Sequence, residues 1–136
     1  MGRIDIDVTA AGKMPEGNYS ATVVKIEYQV LTGEKWNNEG TTTVDFDSWV
    51  AARNTDKRVR AHITLNVPGK GNIWHDLYIK EGALGFVRQF LTACQVHFGK
   101  EGFDFDLCIG KQVGITIVIK EDEYGVDSKI SKLYKV

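Results

Sequence analysis

The chain has 136 residues, of which 43% are hydrophobic and 26% charged, and this composition is typical of one folded domain rather than a disordered or collagen-like chain. No apolar run approaches the roughly 20 residues of a membrane-spanning helix, and charges interrupt the N-terminus where a signal peptide needs an apolar core. Two cysteines are too few for a disulfide scaffold. We therefore expect a cytoplasmic domain with reduced thiols and no membrane partner.

The net charge is −1, but the charge is unevenly distributed along the chain. Residues 51–100 carry eight basic and three acidic side chains, whereas the segments on either side have an acidic excess. The local sign of the charge, rather than its total, steers an anionic ligand. The middle third is therefore where we expect an anion to bind, although solvated lysines and arginines that cluster by chance give the same count.

The first predicted strand runs over residues 19–31, after a turn at residues 15–18. Its apolar alternation changes phase between Val23 and Val24, so that Val24 is expected to share a face with the apolar residues that follow it. Because side chains in a strand alternate strictly, this change indicates a bulge or a bend, as in a first strand that serves two sides of a small barrel. Residues 1–14 are predicted to form an arm or a short edge strand.

The connection over residues 32–57 is less regular than the rest of the chain. Residues 41–47 are expected to form a strand or a hairpin arm, and Trp36 and Trp49 flank them. A structureless connection of this length is unusual in a compact domain. We therefore expect it to be partly ordered or functional.

Residues 58–67 show the clearest strand pattern, since apolar and polar residues alternate throughout. A turn at residues 68–72 leads to a partner strand at residues 73–79, which places His75 on the inner face. Alternation assigns the outward positions of this hairpin to Arg58, Arg60, His62, Thr64, Asn66, Trp74, Asp76 and Tyr78.

Residues 81–98 change to a helical period, with Gly99 as the expected stop. Residues 103–108 lead into a turn, and strands are predicted at residues 113–119 and 129–136. The chain is thus all-β with one helix, and its five strands with a helix between the third and fourth have the connectivity of an OB-fold, a five-stranded Greek-key barrel. We expect one such domain over residues 15–136 with an elaborated first loop, although an α+β sandwich has the same element count.

An OB barrel binds ligands on the outer face of its second and third strands and on its first loop. On that face this chain combines cationic groups, which neutralise phosphates, with flat rings, which stack on exposed bases. We expect His62 to lie between these groups and to add positive charge in mildly acidic solution. The predicted phosphate contacts are Lys57, Arg58, Arg60 and Lys70, and the predicted stacking residues are Trp36, Trp74 and Tyr78.

Two structural interpretations of the same face stay open. The aromatic residues of the third strand could pack under the long loop as core, and the two arginines could pair with Asp45 and Asp47.

Other candidate chemistry is weaker. Cys94 and His97 supply two ligands where a metal needs three or four, so we expect Cys94 and Cys108 to be buried packing residues. We predict no metal, no cofactor and no enzymatic activity.

Four segments resemble small bacteriophage proteins that bind single-stranded DNA. They are residues 15–19 (PEGNY), 91–94 (LTAC), 107–113 (LCIGKQV) and 128–134 (SKISKLY). The resemblance covers residues 15–134, and it implies an OB-like fold. It further implies single-stranded DNA as the partner, little sequence preference, and a role in DNA replication or recombination in the host cytoplasm.

The resemblance leaves two matters open. A homo-oligomer and contacts with phage or host replication and recombination proteins are both compatible with it. The alternative function is a protein-binding module, such as a phage inhibitor of a host factor or a virion component, because near-neutral charge and exposed tryptophans also suit a protein interface.

Overall fold

A computed structural model describes residues 14–123 and 125–136, so the predicted N-terminal arm lies outside the described residues except for Met14. Within them, antiparallel strands form one sheet and two α-helices accompany it. No helix in this part of the chain has the length and apolar character needed to cross a membrane. The elements in chain order are β1 (Gly17–Leu31), β2 (Thr41–Val44), α1 (Phe46–Asn54), β3 (Val59–Val67), β4 (Gly71–Tyr78), α2 (Leu84–Cys94), β5 (Gln112–Asp122) and β6 (Gly125–Lys135).

β1 is the long strand that joins the two halves of the sheet. Its N-terminal part pairs with β5 and its C-terminal part pairs with β3. The ladder with β3 shifts register between Val23 and Lys25, which confirms the bulge indicated by the change of phase. Val24 is the extra residue at this bulge and is 49% exposed, so the prediction that it shares a face with the buried apolar residues that follow it is wrong.

The strand order is β4-β3-β1-β5-β6, with β2 paired to the end of β1. All five predicted strands are present, but the sheet has six strands and does not close into a barrel. Among the described residues no ladder joins β4 to β6, and a cleft of about 310 Å³, here called the seam, separates these two edges. Met14 is buried in the seam, and Ser128 Oγ donates a hydrogen bond to its carbonyl oxygen (2.7 Å). The residues that line the seam are Met14, Asn72, Ile73, Trp74, Asp76, Asp127, Ser128 and Lys129.

The core lies on the inner face of the sheet, where α2 packs. Val87, Leu91 and Cys94 recur at spacings of four and three and are buried, as the helical period predicts. The helix ends at Cys94 rather than near Gly99, because Gln95 adopts a left-handed conformation (φ 60°) and donates its N–H to the Thr92 carbonyl oxygen. The predicted end of the helix is therefore wrong by one turn. Cys94 and Cys108 are buried free thiols, which confirms their predicted packing role.

The connection between β1 and β3 contains a helix that the sequence pattern did not predict. Only residues 41–44 of the expected strand over 41–47 form β2, and α1 follows directly. Asp45 caps α1 by accepting a hydrogen bond from the Ser48 N–H (2.7 Å), which also lowers the pKa of the Asp45 carboxyl. Trp49 is the buried residue of α1 and fixes the helix to the sheet. The connection is thus ordered, as expected.

Gly85 offers a direct test of the helical assignment. It lies in the first turn of α2, and a Cβ at this position would meet no atom within 4 Å. We expect Gly85→Ala to raise the free energy of unfolding by about 0.5–1 kcal/mol, because alanine loses less backbone entropy in a helix. Gly110→Ala is the matched control, since Gly110 also has open space but a positive φ of 87°. Urea denaturation should show stabilisation in the first variant and destabilisation in the second.

Candidate nucleic-acid interface

The β3–β4 hairpin places the predicted polar and aromatic residues on the outer face of the sheet. Its register pairs Arg60 with Tyr78, His62 with Asp76, and Thr64 with Trp74. Neighbours on one face of an antiparallel pair lie within side-chain reach, so these six residues form three adjacent rows. The predicted alternation is confirmed, because the intervening apolar positions are buried on the inner face.

Trp36 reaches this face from the loop between β1 and β2. Its ring lies 4.5 Å from the guanidinium carbon of Arg60 and 5.9 Å from the ring of Tyr78. The loop is held by Gly40, whose N–H donates to Asn37 Oδ1 (2.8 Å). A Cβ at Gly40 would overlap a backbone oxygen of the same loop, so only glycine allows this close approach. Trp36 is therefore half-buried in a defined position over the hairpin.

Arg60 is held on the outer face by two further contacts. Its Nε donates to Gln29 Oε1 (2.8 Å) from β1, and its guanidinium lies 3.4 Å from a carboxylate oxygen of Asp76. The other oxygen of Asp76 lies 2.6 Å from His62 Nδ1. Asp76 thus joins the arginine to the histidine, and only 12% of the Arg60 side chain is exposed. Most of the charge of Arg60 is satisfied within the protein.

A groove of about 450 Å³ lies beside the ring of Trp36. Its walls are Trp36, Tyr78 and the apolar residues Val59 and Ile79, and Arg58 and Lys80 add positive charge. The Lys80 ammonium lies 5.9 Å from the centre of the Tyr78 ring. Among the described residues neither Arg58 nor Lys80 has an ion-pair partner. The groove therefore combines two aromatic side chains with two cations that have no ion-pair partner among the described residues.

Trp74 occupies the other end of the hairpin face. Its side chain is 55% exposed and lines the seam. Tyr78 lies four positions further along the strand, so the backbone positions of the two residues are about 13 Å apart along β4. Lys70 is exposed at the turn between β3 and β4, close in sequence to Trp74, and Lys57 is exposed in the segment between α1 and β3. The structure thus places the predicted aromatic residues in two groups on one face, Trp36 with Tyr78 and Trp74 alone, whereas Lys57 and Lys70 lie in connecting segments outside the strands.

The two structural interpretations of this face, aromatic packing under the long loop and pairing of the arginines with Asp45 and Asp47, can be compared with the structure. Tyr78 does lie under the first loop, whereas Trp74 does not. The pairing of Arg60 with an aspartate of residues 45–47 is wrong, because Asp45 caps α1 and Arg60 pairs with Asp76. His75 faces the inner side as expected, and burial lowers its pKa. No group of three or more His, Cys, Asp or Glu side chains that could hold a metal occurs in the described residues.

Two contributors to this face were missed from the sequence. Lys80 continues the outward alternation of β4 by one more position, so its place could have been found. Gln29 could not, because its role depends on the register between β1 and β3, which sequence spacing does not fix. Its partner in that register is Arg60, to which it is hydrogen-bonded.

Arg60 of β3 and Arg58, which directly precedes this strand, should respond differently to substitution. We expect Arg60→Gln to lower the free energy of unfolding by about 1–2 kcal/mol, because the half-buried Asp76 carboxylate loses a partner and Trp36 loses its stacking contact. Arg58→Gln should change it by less than about 0.5 kcal/mol, since its side chain is exposed. Urea denaturation followed by near-UV circular dichroism measures both. Equal losses in the two variants would contradict the assignment of Arg60 as the residue that fixes Trp36.

The outer face offers flat rings and cations close together, and this arrangement suits an anionic ligand with aromatic groups. Comparison with known proteins gives no match to a family model and none to a curated sequence. Function is therefore inferred from the geometry of this face and the chemistry of its side chains.

Proposed function

We propose that the protein binds single-stranded DNA with low sequence preference through the outer face of β3 and β4, and that its role is binding rather than catalysis. The observation that carries the proposal is the exposed ring of Trp74 on the same sheet face as the groove of Trp36, Tyr78, Arg58 and Lys80. Stacking accepts every base because each base has a flat face, and cations hold the backbone. Weak sequence preference follows from this chemistry.

The proposal includes an OB-like fold. In an OB-fold the first strand pairs with both the second and the fourth, and a Greek-key connection leads the chain round a partly open barrel. The order β4-β3-β1-β5-β6, the bend in β1 and the position of α2 between β4 and β5 all support this topology. In that description β3 and β4 are the second and third strands, and Trp36 lies in the first loop. These are the parts of the fold that bind oligonucleotides.

The biological setting is the broader part of the proposal. From the four segments that resemble small phage proteins we infer a role in phage DNA replication or recombination, in the host cytoplasm. Such a protein holds single strands exposed during these processes and takes no cofactor. Single-stranded DNA is the partner that the rings and cations of the outer face support.

Fluorescence anisotropy of a labelled oligo(dT) tests this function directly. We expect binding at low salt, weaker binding to a duplex of the same length, and a loss of affinity as salt rises. The slope of log K against log salt should be about −0.7 for each phosphate neutralised. An oligonucleotide that stays free at low salt and at high protein concentration would contradict the proposal.

Exposed apolar side chains at the start of α2 favour a protein-binding module as the second candidate function. Phe86 is 60% exposed and Leu84 is 48% exposed, and both lie on α2 rather than on the outer face of the sheet. Rings in such a position anchor many protein interfaces. Capture of host proteins from a lysate by the immobilised protein distinguishes this candidate function from DNA binding. A protein retained by the wild type at high salt, and lost by Phe86→Ser, would support it, because an apolar interface responds little to salt.

A further inference from the structure

The seam continues the outer face of β4 onto β6. Trp74 and Asp76 from β4 line it on one side, and Lys129 lines it on the other. Met14 lies between the two strands and is buried, so its side chain fills the bottom of the cleft. A nucleic-acid strand that lies on Trp74 can therefore cross the seam and stay in contact with the protein surface.

β6 presents lysines on the side that this passage reaches. In the ladder with β5, Lys129 pairs with Val118 and Lys132 pairs with Thr116, whereas the buried Leu133 pairs with Ile115. Val118 and Thr116 are two positions apart on β5 and therefore share a face, opposite to that of Ile115. The register of the ladder shifts between Lys129 and Lys132, with Ser131 as the extra residue, so both lysines lie on the outward face. Both side chains are exposed, so they are accessible to a polyanion.

Tyr134 adds an aromatic residue that can stack on a base, at the end of the same strand. It pairs with Gly114 of β5, and its ring occupies the space that a Cβ at Gly114 would need. The ring therefore lies against the sheet over the glycine, and 37% of the residue stays exposed. A ring held in this way presents its free side to solvent, which is the geometry that base stacking requires.

The carboxylates near the seam do not leave an uncompensated negative charge on this passage. Asp76 is occupied by Arg60 and His62. Asp127 lies 3.6 Å from the Lys129 ammonium, and both of these side chains are about half exposed. Lys132 has no ion-pair partner among the described residues and carries the excess positive charge.

We propose that single-stranded DNA runs from the β3–β4 face across the seam onto β6, where Lys129 and Lys132 contact phosphates and Tyr134 stacks on a base. The proposal rests on the proposed function. It extends the proposed site by a third place where a base can stack, in addition to Trp74 and the pair of Trp36 and Tyr78. It makes the bound length longer than one hairpin face, toward the upper part of the roughly 4–16 nucleotides that one OB-fold covers. Short oligonucleotides then occupy only the β3–β4 face, and longer ones reach β6.

Oligonucleotide length provides the test. Wild type, Lys132→Glu, Tyr134→Leu and the control Lys100→Glu are titrated with oligo(dT) of roughly 6 and 15 nucleotides. Lys100 is an exposed lysine in the turn after α2, so its reversal changes the net charge by the same amount away from the sheet. Leucine at position 134 keeps an apolar cover over Gly114. Thermal melting and circular dichroism check that each variant is folded, and Lys132→Gln replaces Lys132→Glu if the reversal prevents folding.

We expect Lys132→Glu and Tyr134→Leu to bind the longer oligonucleotide about five- to tenfold more weakly and the shorter one as the wild type does. Lys100→Glu should match the wild type on both. Variants that bind the longer oligonucleotide normally, or lose affinity equally for both lengths, would overturn the path across the seam while the binding function stands. A wild type that binds neither oligonucleotide would overturn the function and the path together.

Discussion

Trp74→Ala is expected to weaken binding of single-stranded DNA by about 5- to 150-fold, which corresponds to the 1–3 kcal/mol that one stacked base contributes by truncation. The loss should appear without a loss of stability, because more than half of this side chain is already exposed. Fluorescence anisotropy of labelled oligo(dT) measures the affinity, and urea denaturation measures the stability. The effect should be similar for oligonucleotides of different sequence, since stacking does not depend on base identity.

Phe86→Ala is the matched control for Trp74→Ala. Phe86 is an equally exposed aromatic residue, but it lies on α2, away from the outer face of the sheet. The Phe86→Ala variant should bind DNA with the affinity of the wild type. A Trp74→Ala variant with wild-type affinity would contradict the assignment of this residue to the site, and equal losses in the two variants would mean that exposed rings bind DNA without regard to position.

Trp49→Ala is expected to lower the free energy of unfolding by about 3–5 kcal/mol, as for other large buried aromatic residues. Trp49 is 4% exposed, and its ring lies 5.1 Å from Tyr28 and 6.2 Å from Phe105. Its indole N–H also donates to the carbonyl oxygen of Arg60 (3.2 Å). Loss of the ring therefore leaves a cavity where α1 meets the sheet and removes a hydrogen bond at the centre of the candidate site.

Trp49→Phe separates these two contributions. It retains most of the ring but lacks the N–H, so the free energy of unfolding should fall by about 1–2 kcal/mol, less than in the alanine variant. Chemical denaturation of both variants gives the comparison. A loss of under about 1 kcal/mol in Trp49→Ala would contradict the role of this residue as the anchor of α1.

The sheet was largely predictable because its signals are local. Strict alternation over residues 58–67 fixed both faces of β3, and the change of phase at Val23 and Val24 indicated the bulge in β1. The ends of the helices were harder. Gln95 stops α2 in a left-handed conformation without the glycine that usually marks this position, and the glycine used for the prediction lies four residues later.

Helix α1 was missed because it lacks the apolar stripe that reveals a helix. Among its nine residues only Trp49 is buried, so the sequence shows no 3.6-residue period. A signal was nevertheless present. Asp45 is a favourable capping residue, and it accepts a hydrogen bond from the N–H three positions later at Ser48. The β-branched residues just before it favoured a longer strand instead.

The composition of the candidate site was predictable, but its internal contacts were not. Alternation placed Arg60 and Tyr78 on one face, and the register confirms this. The position of Trp36 over Arg60 depends on the conformation of a loop 24 residues earlier in the chain, which no local pattern specifies. As a result, Arg60 was expected to be a free phosphate contact and is instead mostly paired within the protein.

Intrinsic tryptophan fluorescence tests the central claim most directly. The wild type and a Trp36→Phe/Trp74→Phe variant, which retains only the buried Trp49, are titrated with oligo(dT) at low and then high salt. The outer-face site predicts strong quenching of the wild type that salt reverses, and little change in the variant. Unchanged wild-type fluorescence at low salt, or equal quenching of the variant, would contradict binding of single-stranded DNA at Trp36 and Trp74.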